Sequence, residues 1–301
     1  MTATPAGPAD RGGPADRADP VDGAGPADRA DPATLLALAR EAARQAGELL
    51  LAGRERDVSA LATKSSPTDV VTEMDHAAER LIRTLLLTAR PDDGLLGEEG
   101  SDIAGTSGVR WVVDPLDGTV NYLYGYPAWS VSIAAEAVDA GAAAPAAAQT
   151  VAGVVFAPVT GTTWTATLGG GAWRDGRRLR GSQTRSLGQS LVGTGFGYAA
   201  ETRRGQAEVL TWVLPAVRDI RRSGSAAFDL CCAAEGLLDA YYERGLNRWD
   251  MAAGELIARE AGLLVGTLDG YPALPDVVVA APPALFAALV ALLGGGPSGG
   301  R

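Results

Sequence analysis

The chain has 301 residues, 47% of them hydrophobic and 21% charged, with 36 acidic residues against 26 basic ones and a formal charge of −10. That length allows one large core or two lobes sharing a core, and the acidity removes the Lys/Arg surplus that nucleic-acid backbones require. No apolar run reaches the roughly 18–20 uncharged residues of a membrane span, and no basic stretch leads into an apolar signal core. The expectation is a cytoplasmic protein acting on a small molecule, with no nucleic-acid and no membrane partner.

In chain order, residues 1–32 repeat GPADR and GPADRADP, segments with almost nothing to bury, and read as a disordered tail. Residues 32–53 place apolar side chains at helical spacing behind Pro32, and 72–91 repeat the pattern up to Pro91. The polar stretch 54–71 between them is a loop carrying Lys64 and Asp69. GLLGEEG (94–100) is a short apolar run ending in Glu98 and Glu99. WVVDPLDGTVNY (111–122) is a buried strand that stops at Asp114 and Asp117 and then turns through Gly118 and Thr119.

Residues 131–138, 151–158 and 162–168 are rich in β-branched and aromatic side chains and predict an antiparallel sheet, with 139–150 as an exposed hairpin loop. From about residue 190 strands (191–195, 217–222, 238–243) alternate with helices (201–214, 226–236, 249–262), the signature of an α/β arrangement. The chain thus divides into tails at 1–32 and 294–301, an N-terminal lobe at 33–187 and a C-terminal α/β lobe at 188–293.

Scarcity narrows the chemistry further. Cys231 and Cys232 are the only cysteines and are adjacent, which ordinary disulfide geometry disfavours. His76 is the only histidine, so zinc sites built on several His or Cys ligands are excluded, and His76 itself reads as a helix-surface residue. One lysine, Lys64, stands among the 26 basic residues, which suggests that a compact point charge is wanted there.

Taken singly, the acids have ordinary explanations. Asp250 can cap the helix it opens, Asp117 before Gly118 suits a turn, and Glu98–Glu99 suits a solvated loop. Together they are several carboxylates at the ends of buried elements, and converging carboxylates raise one another's pKa unless cations neutralise them. An all-oxygen ligand set selects Mg²⁺, with Mn²⁺ as a substitute, and Mg²⁺ bridges readily to phosphates. If a helical turn starts at Gly118, its first N–H groups offer a phosphate site.

DVVTEMD (69–75), GEE (97–99), WVVDPLDGTVNY (111–122) and WDMAAGELIAREAG (249–262) together resemble the signature motifs of the inositol monophosphatase family, Mg²⁺-dependent, lithium-sensitive phosphatases related to fructose-1,6-bisphosphatase. The likeness spans about residues 33–292, and LVGTGFGY (191–198) is similar to the bacterial inositol-1-monophosphatase branch. It implies a layered αβαβα sandwich, commonly a homodimer. It further implies that Glu98, Asp114 and the Leu116 carbonyl bind one metal and Asp114, Asp117 and Asp250 a second, with a weaker third near Glu98.

Thr119, hydrogen-bonded to Asp75, would orient the attacking water, and Gly118 and Thr119 N–H groups would hold phosphate oxygens. Lys64 would belong to a loop beside the metals. RRSGSAAFDL (221–230) and AYYERG (240–245) resemble the segments that meet the polyol ring, which assigns Gly224, Ser225, Ala226, Glu243 and Asp250 to the substrate. The implied activity is hydrolysis of inositol 1-phosphate or a related phosphate monoester, with Li⁺ inhibitory. Histidinol phosphate, fructose 1,6-bisphosphate and adenosine 3′,5′-bisphosphate are alternatives on the same site, though no basic aromatic pocket for a nucleotide is legible. A non-catalytic metal-binding interaction protein is the reading from another class.

Overall fold

A computed structural model describes residues 31–54, 62–63, 70–138, 148–268 and 276–295. The repeated N-terminal segment up to residue 30, residues 296–301, Lys64, Asp69 and residues 139–147 of the expected hairpin loop lie outside them.

Helix α1 (Pro32–Arg54) buries Leu35, Ala39, Ala42, Ala43, Ala46 and Leu50, one stripe of a 3.6-residue period. The two-residue strands β1 (Ala62–Thr63) and β2 (Val70–Val71) pair antiparallel ahead of α2 (Glu73–Ala89). A capping box starts α2: the Thr72 side chain accepts from Met74 N–H at 3.1 Å, and Asp75 accepts from Thr72 N–H at 2.9 Å.

There follow β3 (Gly94–Gly97), β4 (Asp102–Ile103), β5 (Val109–Asp117), the short helix α3 (Thr119–Tyr124), β6 (Ser130–Ala137), β7 (Gln149–Ala157), β8 (Thr162–Thr167), β9 (Gly171–Arg174) and β10 (Arg177–Arg178). These strands form an eight-stranded sheet in the order β10-β9-β8-β7-β6-β5-β3-β4, antiparallel throughout except for the parallel pair β3 and β5. Every residue of β6 is buried, as expected of a central strand covered on both faces.

The rest of the chain supplies β11 (Leu191–Thr194), α4 (Ala200–Val213), β12 (Asp219–Arg221), α5 (Ala226–Glu235), β13 (Ala240–Arg244), α6 (Arg248–Glu260), β14 (Leu264–Thr267), β15 (Val277–Ala281) and α7 (Pro283–Gly294). A five-stranded sheet orders them β12-β11-β13-β15-β14, with β11 parallel to both neighbours and the β15 pairings antiparallel.

Three apolar clusters stack these pieces into the expected αβαβα sandwich. One packs α1 and α2 on the first sheet, a second packs α5 and α6 between the two sheets, and a third packs α4 and α7 on the outer face of the second sheet. Each large aliphatic side chain buried this way contributes on the order of 1.5–3 kcal/mol. Small residues let the middle layer come close: a Cβ on Gly153 of β7 would stand 3.0 Å from Ala253 Cα of α6. Among the described residues no helix is long and apolar enough to cross a membrane.

Two differences from the sequence-based expectation have physical causes. Strand β15 and helix α7, VVVAA and PALFAALVALLG, are apolar on nearly every side, so neither period 2 nor period 3.6 is visible in them. Strand β5 reaches Asp117 as a strand but not a regular one: an irregularity shifts its register between Asp114 and Asp117.

Candidate active site

That irregularity builds the site. Asp114 pairs with Ser132 of β6 and Asp117 with Ser130, so three steps along β5 answer two along β6. In a regular strand residues three apart face opposite sides of a sheet; the one-residue bulge brings both aspartates to the same face. Pro115 lacks the N–H that a central ladder position would need, and Leu116 N–H bonds instead to Asp114 Oδ1 at 3.0 Å. The shared face is the one toward α5 and α6. There Ser130 Oγ lies 3.2 Å from Ser225 Oγ, and Ser132 Oγ donates to the Trp249 carbonyl at 3.4 Å.

Other elements deliver the remaining acids. Glu98 follows β3 in a loop held from α2, where buried Glu79 accepts from Glu99 N–H at 2.8 Å and Ser101 N–H at 3.1 Å. Asp250 is the third residue of α6 and not its N-cap, which is Asn247; its carboxylate closes a capping box by accepting from Asn247 N–H at 2.6 Å. The turn after Asp117 passes through Gly118 at φ +98°, where a Cβ would also stand 3.2 Å from the carbonyl oxygens of Ala128 and Gly224. Only glycine suits it. Thr119 Oγ1 then donates to Asp75 Oδ1 at 2.8 Å and lies 3.2 Å from the Leu116 carbonyl oxygen.

Glu98, Asp114, Leu116, Asp117, Thr119 and Asp250 line one cavity of about 470 Å³. Burial above all, then the charges of Glu98, Asp117 and Asp250, pushes the Asp114 carboxyl well above the usual range. Asp250 is raised by burial and by Asp117 and Glu98. Asp117 is pushed up to about 6, again mainly by burial, against hydrogen bonds that pull the other way. Those bonds come from Ser225 Oγ at 2.6 Å, Ala227 N–H at 2.7 Å and Ala226 N–H at 3.2 Å, the start of α5.

As the described side chains stand, no three His, Cys, Asp or Glu residues form a ready cage for an ion. The donors nevertheless suit a hard divalent cation: all are oxygens, they share one cavity, and neighbouring carboxylates add to the burial that raises Asp114. A cation would relieve that crowding of negative charge.

The substrate-side residues are partly rearranged relative to expectation. Ser225 Oγ and Ala226 N–H are bonded to Asp117 here, while Gly224 and Ala226 line the cavity. Glu243 also lines it; the Tyr241 hydroxyl donates to Glu243 Oε2, and burial, partly offset by that bond, pushes Glu243 up to about 7. A Cβ on Gly195 would collide with this carboxylate, so the glycine makes room for it. His76 Nδ1 lies 3.6 Å from Glu99 Oε2, with the imidazole only part-exposed.

A feature that the sequence did not disclose is the far wall. Phe196, Tyr198, Arg222 and Arg244 all line the cavity, so an aromatic and basic margin is present after all. Their four positions lie in three separate segments, after β11, after β12 and at the end of β13, and no local pattern joins them. Asn121 carries no sequence signal of its own either. Its Nδ2 donates to the carbonyls of Ala128 at 2.5 Å and Ser223 at 2.8 Å, tying the turn after Asp117 to the loop before α5.

The profile described as the inositol monophosphatase family matches residues 31–294. An inositol-1-monophosphatase of Mycobacterium bovis is 47% identical over 246 residues, 78% of this chain and 81% of that protein. A protein named Nus factor SuhB from Pasteurella multocida is 38% identical over 254 residues, 82% of this chain and 91% of that one. The solved structure of extragenic suppressor protein suhB from Bartonella henselae superposes with a TM-score of 0.78 at 33% identity, covering 87% of this chain and 99% of that one.

Proposed function

Because the chain belongs to the inositol monophosphatase family, we propose that it is a Mg²⁺-dependent phosphatase that hydrolyses inositol 1-phosphate and related polyol phosphate monoesters. The observation that carries this reading is the bulged β5, which turns Asp114 and Asp117 into the cavity that Glu98 and Asp250 also line, with Thr119 beside them on Asp75. Glu98, Asp114, Asp117, Asp250 and the Leu116 carbonyl would hold the cations. Bound there, Mg²⁺ would lower the pKa of a water and neutralise charge on the phosphate and the leaving oxygen.

The protein's own groups then have definite tasks. With its hydroxyl proton committed to Asp75 Oδ1, Thr119 Oγ1 faces a water as an acceptor and orients it for in-line attack. Asp75 is itself fixed by the Thr72 hydroxyl at 2.5 Å and N–H at 2.9 Å, so the acceptor is rigid. The first N–H groups after the glycine turn, Gly118 and Thr119, hold phosphate oxygens. Gly224, Ala226 and Glu243 face the polyol. Lys64 would complete the site from the 64–69 segment, and a homodimer is proposed as in the resemblance.

The experiment is a phosphate-release screen with Mg²⁺ or Mn²⁺ over inositol 1-phosphate, 2-glycerophosphate, histidinol phosphate, fructose 1,6-bisphosphate and adenosine 3′,5′-bisphosphate. Inositol 1-phosphate should turn over fastest, chelation should abolish the activity, and Li⁺ should inhibit it. Full activity after exhaustive chelation would sink the metal mechanism. A relative that carries the name Nus factor favours a second reading, an interaction protein in which turnover is dispensable; absence of release from all five substrates with Mg²⁺ would select it.

Substrate choice has its own test. Glu243→Gln should lower kcat/KM for inositol 1-phosphate by about 10- to 100-fold, the worth of a charge-assisted hydrogen bond to a hydroxyl, and affect 2-glycerophosphate less. Equal losses on both would return Glu243 to the scaffold.

A further inference from the structure

Arg221 and Arg222 are neighbours in the chain, and the fold treats them oppositely. Arg221 Nη1 pairs with Asp219 Oδ2 at 2.6 Å and reaches the Ile220 carbonyl at 2.8 Å. Arg222 makes no hydrogen bond and no ion pair among the described residues, in a chain with ten more acids than bases, 36 against 26. Its charge reaches Glu243 across the cavity and draws that carboxyl slightly down, without an ion pair between them. Arginines 44, 90, 110, 174, 177, 204, 248 and 259 all have carboxylate partners.

An unpaired arginine at a protein surface is ordinarily just solvated. Arg222 differs because it lines the cavity beside an aromatic ring. Its Cζ lies 5.9 Å from the Phe196 ring centroid. Nη1 also occupies the space that a Cβ on Gly224 would take, so this approach needs the glycine. The Gly224 carbonyl is in turn 3.2 Å from the place of a Cβ on Gly118, which sets the guanidinium beside the Asp117-Gly118-Thr119 turn.

We propose that Arg222 is an anion-recognition residue of this cavity, donating paired N–H bonds to phosphate oxygens of the substrate that face away from the carboxylate floor. This rests on the reading that the cavity takes a phosphate monoester. A planar guanidinium matches two phosphate oxygens at once, and its contacts with the Phe196 ring and Gly224 reduce the side-chain freedom lost on binding. An acidic floor repels a dianion until cations arrive, and a positive group lining the same cavity beside the Gly118 turn favours one orientation of the phosphate.

The test uses the full chain with Mg²⁺ and the variants Arg222→Gln and Arg222→Lys, with Arg221→Gln as a neighbouring loss of charge outside the cavity. Inorganic phosphate binding is read by calorimetry, and steady-state kinetics on a phosphate monoester in parallel. Arg222→Gln should weaken phosphate binding and raise KM by about 10- to 100-fold with kcat changed less than about threefold. Arg222→Lys should recover only part, because an ammonium lacks the fork, and Arg221→Gln should match the wild type. The Mg²⁺ concentration for half-maximal activity should not move.

Wild-type phosphate affinity in Arg222→Gln overturns the proposal. So does a loss confined to kcat with a raised Mg²⁺ requirement, which would make Arg222 a positioning residue for the loop before α5. If the wild type binds phosphate but turns over no monoester, the calorimetric comparison still decides the role of Arg222 while the phosphatase reading fails separately.

Discussion

Asp114→Asn should reduce phosphate release by several orders of magnitude while the metal-free protein stays folded and gains stability relative to wild type as pH rises. The activity falls because the variant loses the carboxylate that the resemblance places between two cations. The stability sign follows from the raised pKa. Folded Asp114 holds its proton to higher pH than it would in the unfolded chain, whose carboxyl lies near 3.8, so the native state binds more protons above that value. Wild-type stability without metal should therefore fall as pH rises from about 4, with Asp117 adding to the loss up to its value of about 6. Asparagine does not titrate, and removing one charge also relieves Asp117, Asp250 and Glu98. Urea denaturation with chelator at several pH values measures this. A variant that unfolds earlier than wild type across that window would make Asp114 a structural acid and the site reading wrong.

Glu136→Ala should cost about 3–5 kcal/mol of stability. Glu136 is fully buried in β6, where Arg110 Nη2 of β5 and Arg248 Nε of α6 each reach it at 2.6 Å. Arg248 also donates to Thr150 Oγ1 at 2.6 Å and pairs with Glu255 at 2.8 Å. Removing the acid leaves two guanidiniums without their shared partner inside the protein. Because Arg248 opens the helix whose third residue is Asp250, Mg²⁺ affinity should fall as well. The denaturation midpoint and a Mg²⁺ titration read the two effects; an unchanged midpoint would mean that the network is solvated and contributes little.

Much of this fold is legible in the amino-acid sequence. Helices α1 and α2 show in their apolar periodicity, and α5 and α6 in alternation with strands, because each buries one face against a sheet. Glu98, Asp114, Asp117 and Asp250 stand out as charges placed where apolar elements end. The Thr119–Asp75 bond joins residues 44 apart and is readable only through the resemblance, since no local rule pairs them. Helix α7 stays hidden because an almost wholly apolar segment carries no period.

The amino-acid sequence by itself limited the chemistry open to the site. With one histidine and two adjacent cysteines against many carboxylates, any cation held here would meet mainly oxygen donors. Only the tertiary structure decided which way those groups face. Asp114 and Asp117 reach one cavity through a bulge whose register is set by β6, and Ser225, Ala226 and Ala227 turn to Asp117 from 108 to 110 residues away. Phe196 and Arg222 meet only because β11 and β12 lie side by side in the second sheet. Residue type limits which atoms can bind a cation or an anion, but direction and distance between remote segments come from strand register and layer packing, which no short stretch of sequence contains.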